Sequence, residues 1–249
     1  MRRILFFTGA GISAESGIST FRDNEDGLWT KYNPDVVANM ASFEENKQLV
    51  FKFYNERRVE MEHVTPNKAH VEIGKLQQQY GTDSVINFTQ NIDDLFEKAG
   101  CLDVKHVHGK INEMRCLDNP NHMYNVGYGL TSSDDTCPEC GGSVKPGVIF
   151  FGESAPMYQQ MFHTFRGATK DDLIVVIGTS GSVIRLDSLV GSSYVKQGGH
   201  RILCNKDSND WIPYESFDTL LFGQATEQID IIVTMSHDWM SSATRYTPT

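Results

Sequence analysis

His108 stands between a short apolar run, Val104-Lys105-His106-Val107, and Gly109. A neutral imidazole at a strand end can take a proton from a sugar hydroxyl near neutral pH, the work of a general base; hydrogen-bonded in a core, it is a packing residue. His106, two residues earlier on the same face, reads as structural. Gln90-Asn91-Ile92-Asp93 follows another apolar run. Its amides and carboxylate suit a carboxamide and sugar hydroxyls, and they equally cap a turn or the next helix. Cys137-Pro138-Glu139-Cys140-Gly141-Gly142 has the spacing of half a zinc ribbon, with Cys116 as the natural third ligand. Tyr54 and Arg57 share one helix face. Together a phenol and a guanidinium make a carboxylate receptor; apart, they are a half-buried tyrosine and a surface arginine.

A fifth group is the stretch Leu5–Arg22. An apolar run turns through Gly9-Ala10-Gly11-Ile12-Ser13-Ala14, where the glycines permit a tight turn and close approach to a ligand. N–H groups at the following helix start suit a pyrophosphate. Ser16-Gly17-Ile18 interrupts that helix early. Thr20-Phe21-Arg22 then brings an aromatic ring and a guanidinium to where a nucleotide needs a lid and an anion partner.

These groups must be positioned by strands that end where the polar residues begin. Ile4–Phe7, Ser84–Phe88, Val104–Val107, Val148–Phe151, Leu173–Ile177, His200–Cys204 and Asp218–Phe222 read as strands. Helices are expected from Ser42, as N-cap of a capping box with Glu45, from Pro66 in the first helical position, and over Ala225–Met235. Residues 112–143 are polar with little periodicity, and the tail after Trp239 is polar. Strands alternating with helices indicate an α/β, doubly wound parallel sheet. The expected division is a discontinuous nucleotide-binding domain (1–30, 79–110 and 147–240), a helical insertion (31–78) and a cysteine-bearing insertion (111–146).

Composition narrows the function classes. The chain has 249 residues, 39% hydrophobic and 22% charged, with a net charge of −10. That balance argues against bulk nucleic-acid binding and offers no attraction to an anionic membrane. No apolar run reaches the roughly 20 residues of a membrane helix, and no signal-peptide pattern follows Met1-Arg2-Arg3. A cytoplasmic location is expected. The odd cysteine number favours metal and core roles over disulfides, with Cys101 and Cys204 as packing residues.

Taken in order, Gly9–Ser13, Gly17–Arg22, Thr89–Asp93, His108-Gly109, Cys137/Cys140, Phe151-Gly152-Glu153 and Gly178-Thr179-Ser180 resemble the sirtuins over roughly residues 4 to 235. The resemblance implies a Rossmann-like domain with a smaller helical plus zinc-ribbon module, and an NAD-dependent protein-lysine deacylase. In that reaction the acyl oxygen attacks the ribose carbon bearing nicotinamide. His108, as catalytic base, then helps a ribose hydroxyl attack the adduct, giving free lysine and O-acyl-ADP-ribose. By resemblance, Gly9, Ala10, Gly11, Ile12, Ser13, Thr20, Phe21, Arg22, Gln90, Asn91, Ile92 and Asp93 bind the cofactor, with Gly178, Thr179, Ser180, Asn205 and Ala225. Val148, Phe150, Phe151, Gly152 and Glu153 meet the acyl-lysine protein or peptide. Zinc is structural. The family's second cysteine near Cys116 is absent here, so His122 or Asp118 closes the site, or the site is degenerate. Tyr54 and Arg57 match the subclass that removes succinyl or malonyl groups, alongside deacetylation.

The sequence also departs from the family pattern. Ser19-Thr20 stands where Pro-Asp is frequent, Phe150 where Trp is usual, and Arg185 where a proline is usual. Three alternatives share the same residues: a sirtuin-like NAD hydrolase or ADP-ribosyltransferase, a hydride-transferring oxidoreductase, and a non-catalytic NAD-sensing interaction module.

Overall fold

A computed structural model describes residues 2–18, 32–191 and 199–242. Six strands form one parallel sheet: β1 (Arg3–Thr8), β2 (Val85–Thr89), β3 (Val104–His106), β7 (Asp172–Ile177), β8 (Arg201–Asn205) and β9 (Thr219–Phe222). Their spatial order is β3-β2-β1-β7-β8-β9. Ile4–Phe7 and Leu173–Val176 are buried throughout, as expected for strands covered on both faces. Ile4 and Phe6 enter one core, with helices α3 (Lys68–Tyr80) and α7 (Ala225–Ser241). Leu5 and Phe7 enter the other, with α5 (Pro156–Arg166) and α6 (Leu186–Val190).

From β1 the chain leaves to β2 on one side and later returns to β7 on the other. That reversal opens a crevice at the carboxyl ends of β1, β2 and β7, where open α/β sheets take ligands. At the opposite end, Asp172 accepts two bonds from Arg3, at 2.7 and 2.8 Å, clamping β1 to β7.

A second, antiparallel sheet has the order β5-β4-β6, with β4 (Gly109–Cys116), β5 (Met123–Asn125) and β6 (Val144–Val148). A third core joins it to α1 (Pro34–Val37) and α2 (Lys47–Glu62) through Val37, Phe53, Tyr54, Met114 and Val148. The short α4 (Leu95–Lys98) follows the β2 loop.

Local details differ from the sequence reading. Ser42 is no N-cap: its one hydroxyl hydrogen is directed at the Asp35 carbonyl, 2.8 Å away, with the Val36 and Asn39 carbonyls also in reach, and the helix begins after Asn46. Pro66 does not open α3. Asn67 does, in a capping box closed by His70. The strand expected at Val148–Phe151 lies at Val144–Val148, and the closing helix runs on to Ser241. The polar 112–143 segment contains most of β4 and all of β5.

Candidate active site

The site begins where β1 and β7 end. A Cβ on Gly9 would sit 2.8 Å from the Gly178 carbonyl oxygen, and one on Gly11 2.7 Å from the Gly178 Cα. Gly178 itself has φ +64°, so the two turns touch backbone to backbone only because all three positions lack side chains. This refines the expectation: the close approach is to the neighbouring turn, and the Gly11 N–H is already given to the Gly178 carbonyl at 2.8 Å. The segment after Gly9 is two single 3-10 turns, Ala10–Ile12 and Ala14–Ser16, not an α-helix. Ile12 packs in the core beside α3 and α7.

Ser13 is buried and joined to the loop after β2. Its hydroxyl donates to Asp93 Oδ2 at 3.0 Å and receives Asn91 Nδ2 at 2.9 Å, with His70 Nε2 3.3 Å away. Burial raises the Asp93 carboxyl and lowers His70 to about 4. Gln90 reaches the opposite way, donating to Thr179 Oγ1 at 2.8 Å. Asn205, at the end of β8, donates to the Thr179 carbonyl, and Ser180 meets Ser182 at 3.0 Å. Ala225 opens α7, whose next residue, Thr226, is bound by Glu15. Gln90, Asn91, Asp93, Ser13, Thr179 and Asn205 are therefore brought together. Ile92 packs against the third core. Two polar atoms on the segments around the first turn, Thr8 Oγ1 and Ser16 Oγ, are buried without a hydrogen-bond partner among the described residues.

His106 and His108 grip consecutive carbonyls of that loop. His106 Nδ1 lies 2.9 Å from Asn91 O and its Nε2 2.9 Å from Glu97 Oε1. His108 Nδ1 lies 2.9 Å from Gln90 O, and its Nε2 2.7 Å from the Tyr158 hydroxyl. A carbonyl only accepts, so His108 carries its hydrogen on Nδ1 and leaves the lone pair on Nε2. Burial pulls His108 down, against the Gln90 carbonyl, so the imidazole is neutral at pH 7.

The segment expected to meet a peptide is anchored from inside. Phe151 exchanges backbone bonds with Ala38 and Met40, and its ring is half exposed. Val148 and Phe150 are buried, and Phe150 stacks on Tyr54 with centroids 5.7 Å apart. Glu153 turns inward to accept the Phe150 N–H at 2.7 Å and to pair with Lys145 Nζ at 2.9 Å. Gly152 takes the intervening turn at φ +88°. The side chains of Val148, Phe150 and Glu153 thus support the segment from inside. Burial raises the Tyr54 phenol, and the Glu153 charge adds to the effect. Arg57 pairs with Glu60 at 2.6 Å.

Cys116, His122, Cys137 and Cys140 place one ligand atom each within 4.8 Å of one another. Cys116 Sγ is 3.6 Å from Cys140 Sγ, and Cys137 Sγ 3.5 Å from His122 Nδ1. A zinc–sulfur tetrahedron with bonds of about 2.3 Å has edges of about 3.8 Å, so the donor set fits a structural zinc. Asp118 is instead beside Gly142, where a Cβ would meet Oδ2 at 2.0 Å. Cys101 and Cys204 are buried thiols pushed up to about 12, chiefly by burial. Thr20, Phe21 and Arg22 lie outside the described residues.

Asn67, His70, Lys145 and Tyr158 escaped the sequence reading. Asn67 and His70 had a signal in their N-cap and third-position spacing, and Lys145 in being a lone charge in an apolar strand. Tyr158 had none.

The Sir2 family model matches residues 9–185. The NAD-dependent protein deacylase of Helicobacter hepaticus is 35% identical over 245 residues, covering 92% of this chain and 95% of that one. A Sir2 homologue mutant solved with ADP-ribose superposes with a TM-score of 0.80 at 32% identity, covering 98% of this chain and 95% of that one. A Sir2 homologue–NAD complex gives 0.78 at 34% identity, covering 96% and 91%. With the sheet, the strand-end loops and the metal-ligand cluster in that arrangement, the chain belongs to the Sir2 family.

Proposed function

We propose that the chain is an NAD-dependent protein deacylase that uses His108 as general base on acyl-lysine proteins or peptides, acidic acyl groups included. The carrying observation is the Gln90 bridge. One residue holds His108 by its carbonyl and Thr179 by its side chain, joining the base to the crevice between β1 and β7. The family match and the Helicobacter hepaticus relative support the activity.

Ser13, Asn91 and Asp93 are the groups we assign to the nicotinamide and its ribose, and Thr179, Ser180, Asn205 and Ala225 to the remaining hydroxyl, phosphate and adenosine contacts. The unpartnered hydroxyls of Thr8 and Ser16 fit a polar ligand at the same turn. When bound, NAD supplies a breakable glycosidic bond and the sugar hydroxyl that receives the acyl group. At Nε2, His108 takes the proton of that hydroxyl, while Nδ1–H, held by Gln90, fixes the ring and shares the positive charge. Zinc on Cys116, His122, Cys137 and Cys140 cross-links the loops of the small sheet. The six-stranded sheet with its helices forms the cofactor domain, with 31–78 and 111–146 as insertions. Cysteines that hold zinc, with Cys101 and Cys204 packed as thiols in the core, suit a reducing compartment, the cytoplasm.

Acidic acyl groups enter the reading through Arg57. Its side chain is only 12% exposed, whereas its partner Glu60 is 56% exposed. The pair opens to water on the Glu60 side, where an incoming carboxylate can take the place of Glu60 on Arg57. The test is a panel of acetyl-, malonyl- and succinyl-lysine peptides with NAD, products read by mass. Arg57→Met should lose about tenfold or more in kcat/KM on succinyl-lysine, as for a charge-assisted bond, and little on acetyl-lysine. Equal losses remove Arg57 from the acyl site. His108→Ala should abolish turnover and keep NAD binding; retained turnover overturns the base assignment.

A further inference from the structure

We propose that Tyr158 is a positioning residue for His108: its hydroxyl donates to Nε2, holds the base in the Nδ1–H tautomer and caps its lone pair until a ligand hydroxyl takes that place. The proposal rests on the reading of His108 as base. Tyr158 is in the first turn of α5, opened by Pro156, and its ring lies 5.8 Å from the imidazole, tilted 52°. The direction of the bond is fixed. Nδ1 faces the Gln90 carbonyl, which cannot donate, so at 2.7 Å the phenol must be the donor to Nε2. Burial raises the Tyr158 phenol, which keeps it a neutral donor across the working pH range.

The consequence is an exchange of one hydroxyl for another. A base must present its lone pair to the proton it takes, and here that lone pair is already satisfied. A sugar hydroxyl entering the crevice replaces an equivalent bond, so the buried nitrogen is never left without a partner. The phenol donates to the neutral ring only; towards an imidazolium it would have to turn its hydrogen away and accept from Nε2–H.

The groups facing His108 are the Gln90 carbonyl from the β2 loop and the Tyr158 phenol from α5. The neighbouring ionisable groups have bonds of their own, Asp93 with Ser13 and His106 with Glu97. The experiment is an NMR titration of ring-15N-histidine protein without cofactor, the His108 signal assigned from a His108→Gln variant. Tyr158→Phe should move the Nε2 resonance of the neutral ring towards that of a nitrogen with no donor, because only the bond at Nε2 is lost. 3-Fluorotyrosine at position 158, a more acidic donor of nearly the same size, should shift it the other way and serves if the phenylalanine variant does not fold. A His108 Nε2 resonance unmoved by the substitutions overturns the proposal. It leaves the base assignment standing, because that is tested separately by the turnover of His108→Ala.

Discussion

Lys145→Met isolates what holds the 150–153 segment in place. The ammonium is completely buried, with Glu153 Oε2 at 2.9 Å, the Val148 carbonyl at 2.6 Å, the Pro146 carbonyl at 3.1 Å and the Phe150 ring at 4.0 Å. Burial lowers it to about 8 despite the opposing pull of Glu153, so the ammonium is charged at pH 7. Methionine keeps the length and removes the charge. Breaking a buried pair by deleting one partner costs about 3–5 kcal/mol. The low end applies here, because Glu153 is 13% exposed and retains the Phe150 N–H. A loss of about 3 kcal/mol lowers the melting temperature of a chain this size by about 6–12 °C. Urea unfolding of Lys145→Met, Glu153→Gln and the double variant measures the coupling, expected at about 0.5–3 kcal/mol. The KM for an acyl peptide should rise several-fold while that for NAD holds, because Glu153 positions Phe150 and not the β1–β7 crevice. A Lys145→Met cost under about 1 kcal/mol, or additive losses, would refute the buried-pair reasoning.

Two further outcomes follow from the buried histidine and the metal-ligand set. His70 is lowered by burial to about 4 from an ordinary 6.5. The unfolded chain therefore binds that proton more tightly, and stability present above pH 6.5 is lost as the pH falls through 4, by about 3 kcal/mol in all. His70→Gln, which cannot titrate, should flatten the fall in urea midpoint between about pH 7 and about pH 4.5; an undiminished slope assigns the acid sensitivity elsewhere. His122→Ala should lower the zinc-to-protein ratio measured by atomic absorption and the melting temperature together, whereas His122→Cys restores both. Full zinc content in the alanine variant would exclude His122 as the fourth ligand.

What could be read from the sequence follows where each residue's partner lies. Ile4–Phe7 and Leu173–Ile177 announce themselves because strands buried on both faces are continuous apolar runs. β6 does not, since Pro146 and Gly147 break its run and its lysine is satisfied only in three dimensions. Ser42 and Glu45 have the right spacing for a cap, yet three carbonyls upstream claim the hydroxyl. Local pattern states which bonds a residue can make; the fold decides which it does make. The same holds in the site. His108 is legible as a polar residue at a strand end, whereas Tyr158 lies 50 residues away on a helix whose sequence marks only its apolar face.

The two histidines show how such partners separate structure from chemistry. Beyond β3 the carbonyls of Gln90 and Asn91 have no ladder partner, and a buried carbonyl left unpaired costs about 1–3 kcal/mol. His106 and His108 each supply the missing donor through Nδ1. The residues differ only at the other nitrogen. His106 meets Glu97, a carboxylate held at about 2 by His106 and Lys110 against the cost of burial. A carboxylate that also pairs with Lys110, at 3.1 Å, is not given up to an incoming hydroxyl. His108 meets a neutral phenol, one hydrogen bond that another hydroxyl can replace at no net cost. Of two imidazoles bound alike to the same loop, only the second has a nitrogen free to exchange its partner, and it is that nitrogen which can accept a proton.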